Sequence, residues 1–165
     1  MQSHEQKSEL KIDEELGLSQ RHLVFELGGE SYACPIVQVR EVIKVPALKP
    51  VPYMAASFTG LLNLRGQMVG VVDLRIHFQI NVPESRPGII LVVDLGESLL
   101  GAHVDDVVEV VNVPPDEMHT NFTVSTRVSV DFLKGIANIG ARMVSIIDLA
   151  KLLSSQELRT FNRAQ

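Results

Sequence analysis

The chain of 165 residues contains one cysteine, no tryptophan, two tyrosines and six phenylalanines, and carries no lysine- or arginine-rich block. Each scarcity excludes something. A lone Cys34 cannot close an internal disulfide or build a multi-cysteine zinc site, and in "YACPIV" it reads as a small buried thiol. With so few aromatic rings and a formal net charge of −5, neither base stacking nor attraction to a polyanion is on offer, so no nucleic-acid partner is expected. No window approaches the roughly 20 consecutive apolar residues of a membrane span, so no membrane insertion is expected. The start, "MQSHEQKSELKIDEELGLSQ", is charged and has no apolar stretch of the signal-peptide kind. It reads as a flexible leader over residues 1–20 of a soluble, cytoplasmic protein.

Catalytic signatures are also missing. There is no nucleophile elbow, phosphate loop or dinucleotide fingerprint. His4, His22, His77 and His119 show no ligand spacing. "AHVDD" offers His103, Asp105 and Asp106, but in a strand His103 and Asp105 share one face while Asp106 points the other way. No metal, cofactor or catalytic residue is expected, which leaves a small metal-dependent hydrolase as a distant alternative requiring a pocket of clustered polar groups.

What the chain does have is apolar residues, 45% of the total, enough for a packed core, and a repeat. "GLLNLRGQMVGVVDLRIHF" (60–78) aligns without a gap to "GIANIGARMVSIIDLAKLL" (135–153), with six of 19 columns identical: Gly60/Gly135, Asn63/Asn138, Met68/Met143, Val69/Val144, Asp73/Asp148 and Leu74/Leu149. Upstream, "VFELGGESYACPIVQVREVIKVP" (24–46) resembles "VVDLGESLLGAHVDDVVEVVNVP" (92–114) after a one-residue slip that closes by the end. The two landmarks recur in the same order. The chain is therefore two versions of one unit, about 22–80 and 90–153, joined by the connector "NVPESRPG".

Each unit reads as short β-branched runs broken by glycine: "HLVFEL", "REVIKV", "FTGLLNL" and "MVGVVDL" in the first, "IILVVDL" and "VVEVVNV" in the second. Four or five strands in some 60 residues are too few for a sandwich, whereas a small closed barrel hides the edges that short strands expose. Strands could swap between two such barrels, so sequence halves need not be spatial halves.

Positions alike in both halves are candidates for holding the fold. Asp73 and Asp148 each end an apolar run before Leu, where a carboxylate can cap a short helical turn. Ser154 and Glu157 read as a capping box for a final helix with Leu158 and Phe161 on one side. Positions that differ point outward. Gly140 stands where the first half has Arg65, so the turn does not need an arginine; Glu41 is its natural partner, and Glu109 with Arg142 could mimic the pair. Arg75, replaced by Ala150, reads as a solvated side chain.

The combined landmarks, "HLVFELGGESYACPIVQVREVI", "FTGLLNLRGQMVGVVDLRIHF", "ILVVDLGESLLGAHVDDVVEVV" and "FLKGIANIGARMVSIIDLAKLL", resemble the CheW family of bacterial chemotaxis coupling proteins, with Asn63, Leu64, Arg65 and Gly66 unchanged from its NLRG signature. The likeness spans about 22–155. It implies an all-β fold of two five-stranded SH3-like barrels with short helical turns and a C-terminal helix, forming one domain over 21–158 before a tail at 159–165. It also implies an adaptor without catalysis that links the cytoplasmic tips of chemoreceptors to the regulatory domain of the histidine kinase CheA, in arrays beneath the inner membrane. Carried over to this chain, the receptor-facing groove comprises Ile36, Val39, Glu41, Val42, Arg65 and Val107. The kinase contact falls on Leu48, Val51 and Met54, and a ring-forming contact near His119 and Val124, where His and Val stand in place of the arginine and phenylalanine that would suit it. The same role in a non-flagellar chemosensory pathway, such as twitching motility, is the near alternative. An origin with an attached phosphoacceptor domain, as in CheV, is not expected from the few residues after the last helix.

Overall fold

The computed structural model describes residues 2–81, 87–121 and 127–155. Among them, ten strands form two five-stranded sheets. The strands are β1 (Arg21–Leu27), β2 (Glu30–Pro35), β3 (Val39–Lys44), β4 (Phe58–Leu64), β5 (Gln67–Asp73), β6 (Ile89–Asp94), β7 (Leu99–Val104), β8 (Asp106–Asn112), β9 (Leu133–Ile139) and β10 (Arg142–Ile147). Three helices accompany them: α1 (Gln2–Gln20), α2 (Leu74–His77) and α3 (Leu149–Ser155).

The swap between halves is realised. One sheet runs β8-β1-β2-β10-β9 and the other β3-β6-β7-β5-β4. Each holds strands from both sequence repeats, joined by parallel pairs β2–β10 and β5–β7. The near-continuous apolar runs follow from this arrangement, because a strand covered on both faces has no polar side. Ile90 and Val92 of β6 point into the interior of their own barrel, while Leu91 and Val93 join the cluster at the seam between the barrels. On β1, Val24 faces its barrel interior and Leu23, Phe25 and Leu27 face the seam. Cys34 is fully buried in that seam.

Both barrels are closed by the same device. Lys49 pairs with Leu61 on β4, and His119 pairs with Ile136 on β9. The crossing segment comes so near that a Cβ on Gly60 would sit 2.7 Å from the Lys49 carbonyl oxygen, and one on Gly135 would sit 2.2 Å from Met118 Cγ. Space alone therefore calls for glycine at 135, and space together with a φ of 150° calls for it at 60.

Both aspartate caps form. Asp73 Oδ1 accepts from Arg75 N at 2.9 Å, and Asp148 Oδ1 from Lys151 N at 3.1 Å. The leader is helical, and one expectation does not hold as stated. Residues Gln2–Gln20 form a 19-residue helix; the stretch is rich in Glu, Gln, Lys and Leu, good helix formers, and has no proline. Ser154 lies inside α3 and donates to Lys151 O at 3.1 Å, so it is not an N-cap. Glu157, Leu158 and Phe161 lie outside the described residues, as do the ends of the domain and tail read at 158 and 159–165. Among the described residues, no helix is long and apolar enough to cross a membrane.

Candidate docking site

The β4–β5 hairpin turns through Arg65 and Gly66, with φ of 49° and 86°. Two successive residues at positive φ make the turn that matches the right-handed twist of the flanking strands. Asn63 holds it by accepting from Gly66 N at 2.8 Å. From this turn Arg65 donates through Nη2 to Glu41 on β3. β3 and β4 are the two edges of one sheet, so the ion pair bridges the edges that barrel closure brings together. In the other barrel Arg142 donates to Glu109 on the edge strand β8. The pair is therefore built twice, with the arginine moved by two positions in the hairpin. Arg65 remains 73% exposed while bound, against 37% for Arg142. Most of its side chain is open to meet something else.

Beside this pair the chain crosses from one barrel to the other. Ile36 opens a single helical turn, Ile36–Gln38, that leads from β2 into β3. Ile36, Val39 and Val107 are all half-buried and rest on the same seam cluster, so the two barrels together present them. Glu41 is half-buried on β3, whereas the adjacent Val42 is 44% exposed on the strand's other side. The six residues carried over for the receptor groove thus comprise three that rest on the seam, one ion pair and one outward valine.

The other carried-over residues are less compact. Leu48 packs on the interior of its barrel, and Val51 and Met54 on the seam. All three are half-buried. Between them Tyr53 is fully exposed, at a φ of 63° that bulky side chains rarely adopt. Its only signal in sequence is an aromatic residue set between Pro52 and Met54. His119 is exposed and held by backbone pairing to Ile136; Val124 lies outside the described residues.

Arg75 corrects the sequence reading most sharply. It is 9% exposed, not solvated. Its Nε and Nη2 grip Asp73 Oδ1 and Oδ2 at 3.0 and 2.8 Å, and Nη1 lies 3.3 Å from Asp105 Oδ1. The fork geometry of a guanidinium suits this bidentate grip. Hydrogen bonding to Asp73 holds its pKa above the usual arginine value despite burial. His103 completes the group, 3.1 Å from Arg75 Nη2 and 2.8 Å from Pro87 O. Burial lowers its pKa, so it is neutral, with the Asp73 charge opposing that shift. His103 and Asp105 do share a face, as expected, but a cation of the protein itself stands at the centre of the carboxylates. Among the described residues, no group of three or more His, Cys, Asp or Glu side chains is placed to hold a metal ion. Burial pushes the Cys34 thiol up to about 12, which leaves it unreactive.

Residues 21–157 match the family model described as the CheW-like domain. The chain is 29% identical over 142 residues to the chemotaxis protein CheW of Klebsiella aerogenes, covering 86% of each chain. It is 28% identical over 142 residues to the chemotaxis protein CheW of Treponema pallidum, covering 83% of this chain and 84% of the other. Among solved structures it resembles the scaffolding protein TtCheW of Thermoanaerobacter tengcongensis, with a TM-score of 0.74 at 29% identity, over 84% of this chain and 90% of that one.

Proposed function

The chain belongs to the CheW-like domain family, and from that premise we propose that it is a non-catalytic adaptor that couples chemoreceptor tips to the regulatory domain of the histidine kinase CheA. The observation that carries the reading is the seam. Ile36, Val39 and Val107, drawn from both barrels, pack half-buried against the same apolar cluster, and the exposed Arg65 pairs with Glu41, two residues along from Val39. A helical hairpin lays an apolar stripe into such a groove and uses a rim charge for orientation. The kinase contact lies on the loop through Leu48, Val51 and Met54, where Tyr53 supplies the exposed aromatic anchor that hot spots favour.

Coupling then needs no chemistry within the protein. Several moderate interfaces on one body become strong association when the partners are held in an array. Receptor state reaches the kinase as a difference in contact free energy between two arrangements. The protein works in the cytoplasm, at arrays beneath the inner membrane.

Co-sedimentation with receptor-bearing membranes, with and without CheA, tests this reading. The protein should pellet with receptors alone and in larger amount when CheA is added. A protein that stays in the supernatant under both conditions refutes it.

A further inference from the structure

The described chain passes between the two sheets twice, from β2 to β3 and from β7 to β8. At each passage one polar side chain of the connecting segment bonds to other parts of the chain. At the first, Gln38 Nε2 donates to Asp148 Oδ1 at 2.9 Å, and its Oε1 accepts from Ala150 N at 3.2 Å. It thereby plugs the start of α3. At the second, Asp105 Oδ1 accepts from Arg75 at 3.3 Å, beside α2 of one barrel. Its Oδ2 accepts from Gly28 N at 2.7 Å, in the β1–β2 turn of the other barrel. Its own N–H donates to Glu26 O on β1 at 3.0 Å. Gly28 has no room for a side chain, since a Cβ would sit 2.3 Å from Ile80 Cγ2, just beyond α2. The turn of one barrel is thus seated directly against the helical segment of the other.

The duplication relates the two joints. Asp73 aligns with Asp148, Arg75 with Ala150 and, before the slip closes, Gln38 with Asp105. One joint is made by a neutral amide and the other by a buried ion pair.

We propose that these two crossovers are paired pins fixing the relative orientation of the barrels, with Gln38, Arg75 and Asp105 as positioning residues for the walls of the seam groove. Ile36 precedes Gln38 by two residues, Val39 follows it directly and Val107 follows Asp105 by two, so a change of angle at the pins moves one wall of the groove against the other. A packed seam with discrete polar joints favours a few defined angles over a continuum. The consequence for binding rests on the adaptor reading; the orientation itself does not.

The test measures an inter-barrel distance directly. Nitroxide labels are placed on Glu97→Cys in one barrel and Lys134→Cys in the other, both exposed positions; the buried, unreactive Cys34 stays unlabelled. Double electron–electron resonance should give one narrow distance distribution in the otherwise unchanged protein. Arg75→Met and Gln38→Ala, with native circular dichroism, should each broaden it, and Arg75→Lys should restore part of the narrow population. Where Arg75→Met leaves carboxylates unpaired and fails to fold, the charge-matched pair Arg75→Met with Asp105→Asn carries the same expectation. Val71→Ala, which loosens a barrel interior away from both pins, should leave the width unchanged. An unchanged width in folded Gln38→Ala overturns the proposal, and so does equal broadening by Val71→Ala. Each variant is also sedimented with receptor-bearing membranes. Broadening without loss of binding keeps the pins and severs them from the groove, whereas no binding by the unchanged protein counts against the adaptor reading alone.

Discussion

Arg65 donates to Glu41 from a left-handed backbone, with φ of 49°, while the aligned Gly140 holds φ of 62° and makes no such contact itself. An arginine in this conformation carries a conformational penalty of about 1 kcal/mol that glycine escapes. The exposed ion pair returns roughly 0.2–1 kcal/mol. Arg65→Gly should therefore change the urea midpoint by less than the equivalent of about 1 kcal/mol while weakening receptor or kinase capture in pulldown. Strong unfolding by this substitution means that the arginine serves the fold; undiminished capture by the folded variant means that it does not meet a partner.

Asp148 has a different job. Its carboxylate caps α3 and accepts from Gln38 as well. Asp148→Ala should lower stability by about 1 kcal/mol or somewhat more, read by chemical denaturation, and should weaken binding no further than Gln38→Ala, whose joint it breaks. Abolished binding in a fully stable Asp148→Ala protein, with binding kept by Gln38→Ala, contradicts the structural assignment.

The two closing glycines separate backbone from side-chain crowding. At Gly60 an added methyl meets a backbone carbonyl oxygen, at a φ of 150°; at Gly135 it meets the Met118 side chain, Cγ at 2.2 Å and Sδ at 2.7 Å. Met118 can move aside and a paired backbone cannot. Gly60→Ala should cost more stability than Gly135→Ala, by about 1–3 kcal/mol as overpacking does. Equal thermal midpoints for the two variants would go against this account of barrel closure.

Acid should weaken the fold before the carboxylates titrate. His22 and His103 both have pKa values lowered from 6.5, mainly by burial. In the window below 6.5 the unfolded chain binds more protons than the folded one, so stability is complete above that pH and is lost as pH falls toward the folded values. Denaturation between about pH 5 and 7 should show this slope. His22→Gln should flatten it if the variant folds; an unchanged slope in a variant lacking both histidines assigns it elsewhere.

Much of this architecture was legible because the chain states it twice. The repeated glycines, the capping aspartates and both Glu–Arg pairs were readable by aligning one half against the other. Strand exchange could be anticipated only as an option, since periodicity shows that a strand is covered on both faces and not what covers it. Arg75 was not legible. Its alignment with Ala150 suggested a dispensable side chain, while the groups that bury it, His103 and Asp105, lie 28 and 30 residues away. Tyr53 escaped for a related reason: nothing local in "PVPYM" distinguishes an aromatic that packs inward from one that stands in solvent. The helix of the leader was not read, although Glu, Gln and Lys are good helix formers.

The most direct test is kinase output in a reconstituted system of receptor-bearing membranes, CheA and this protein. Phosphorylation by CheA should come under receptor control only when all three are present, and should lose that control with Arg65→Gly. Full receptor control in the absence of this protein, or none in its presence, contradicts the coupling role.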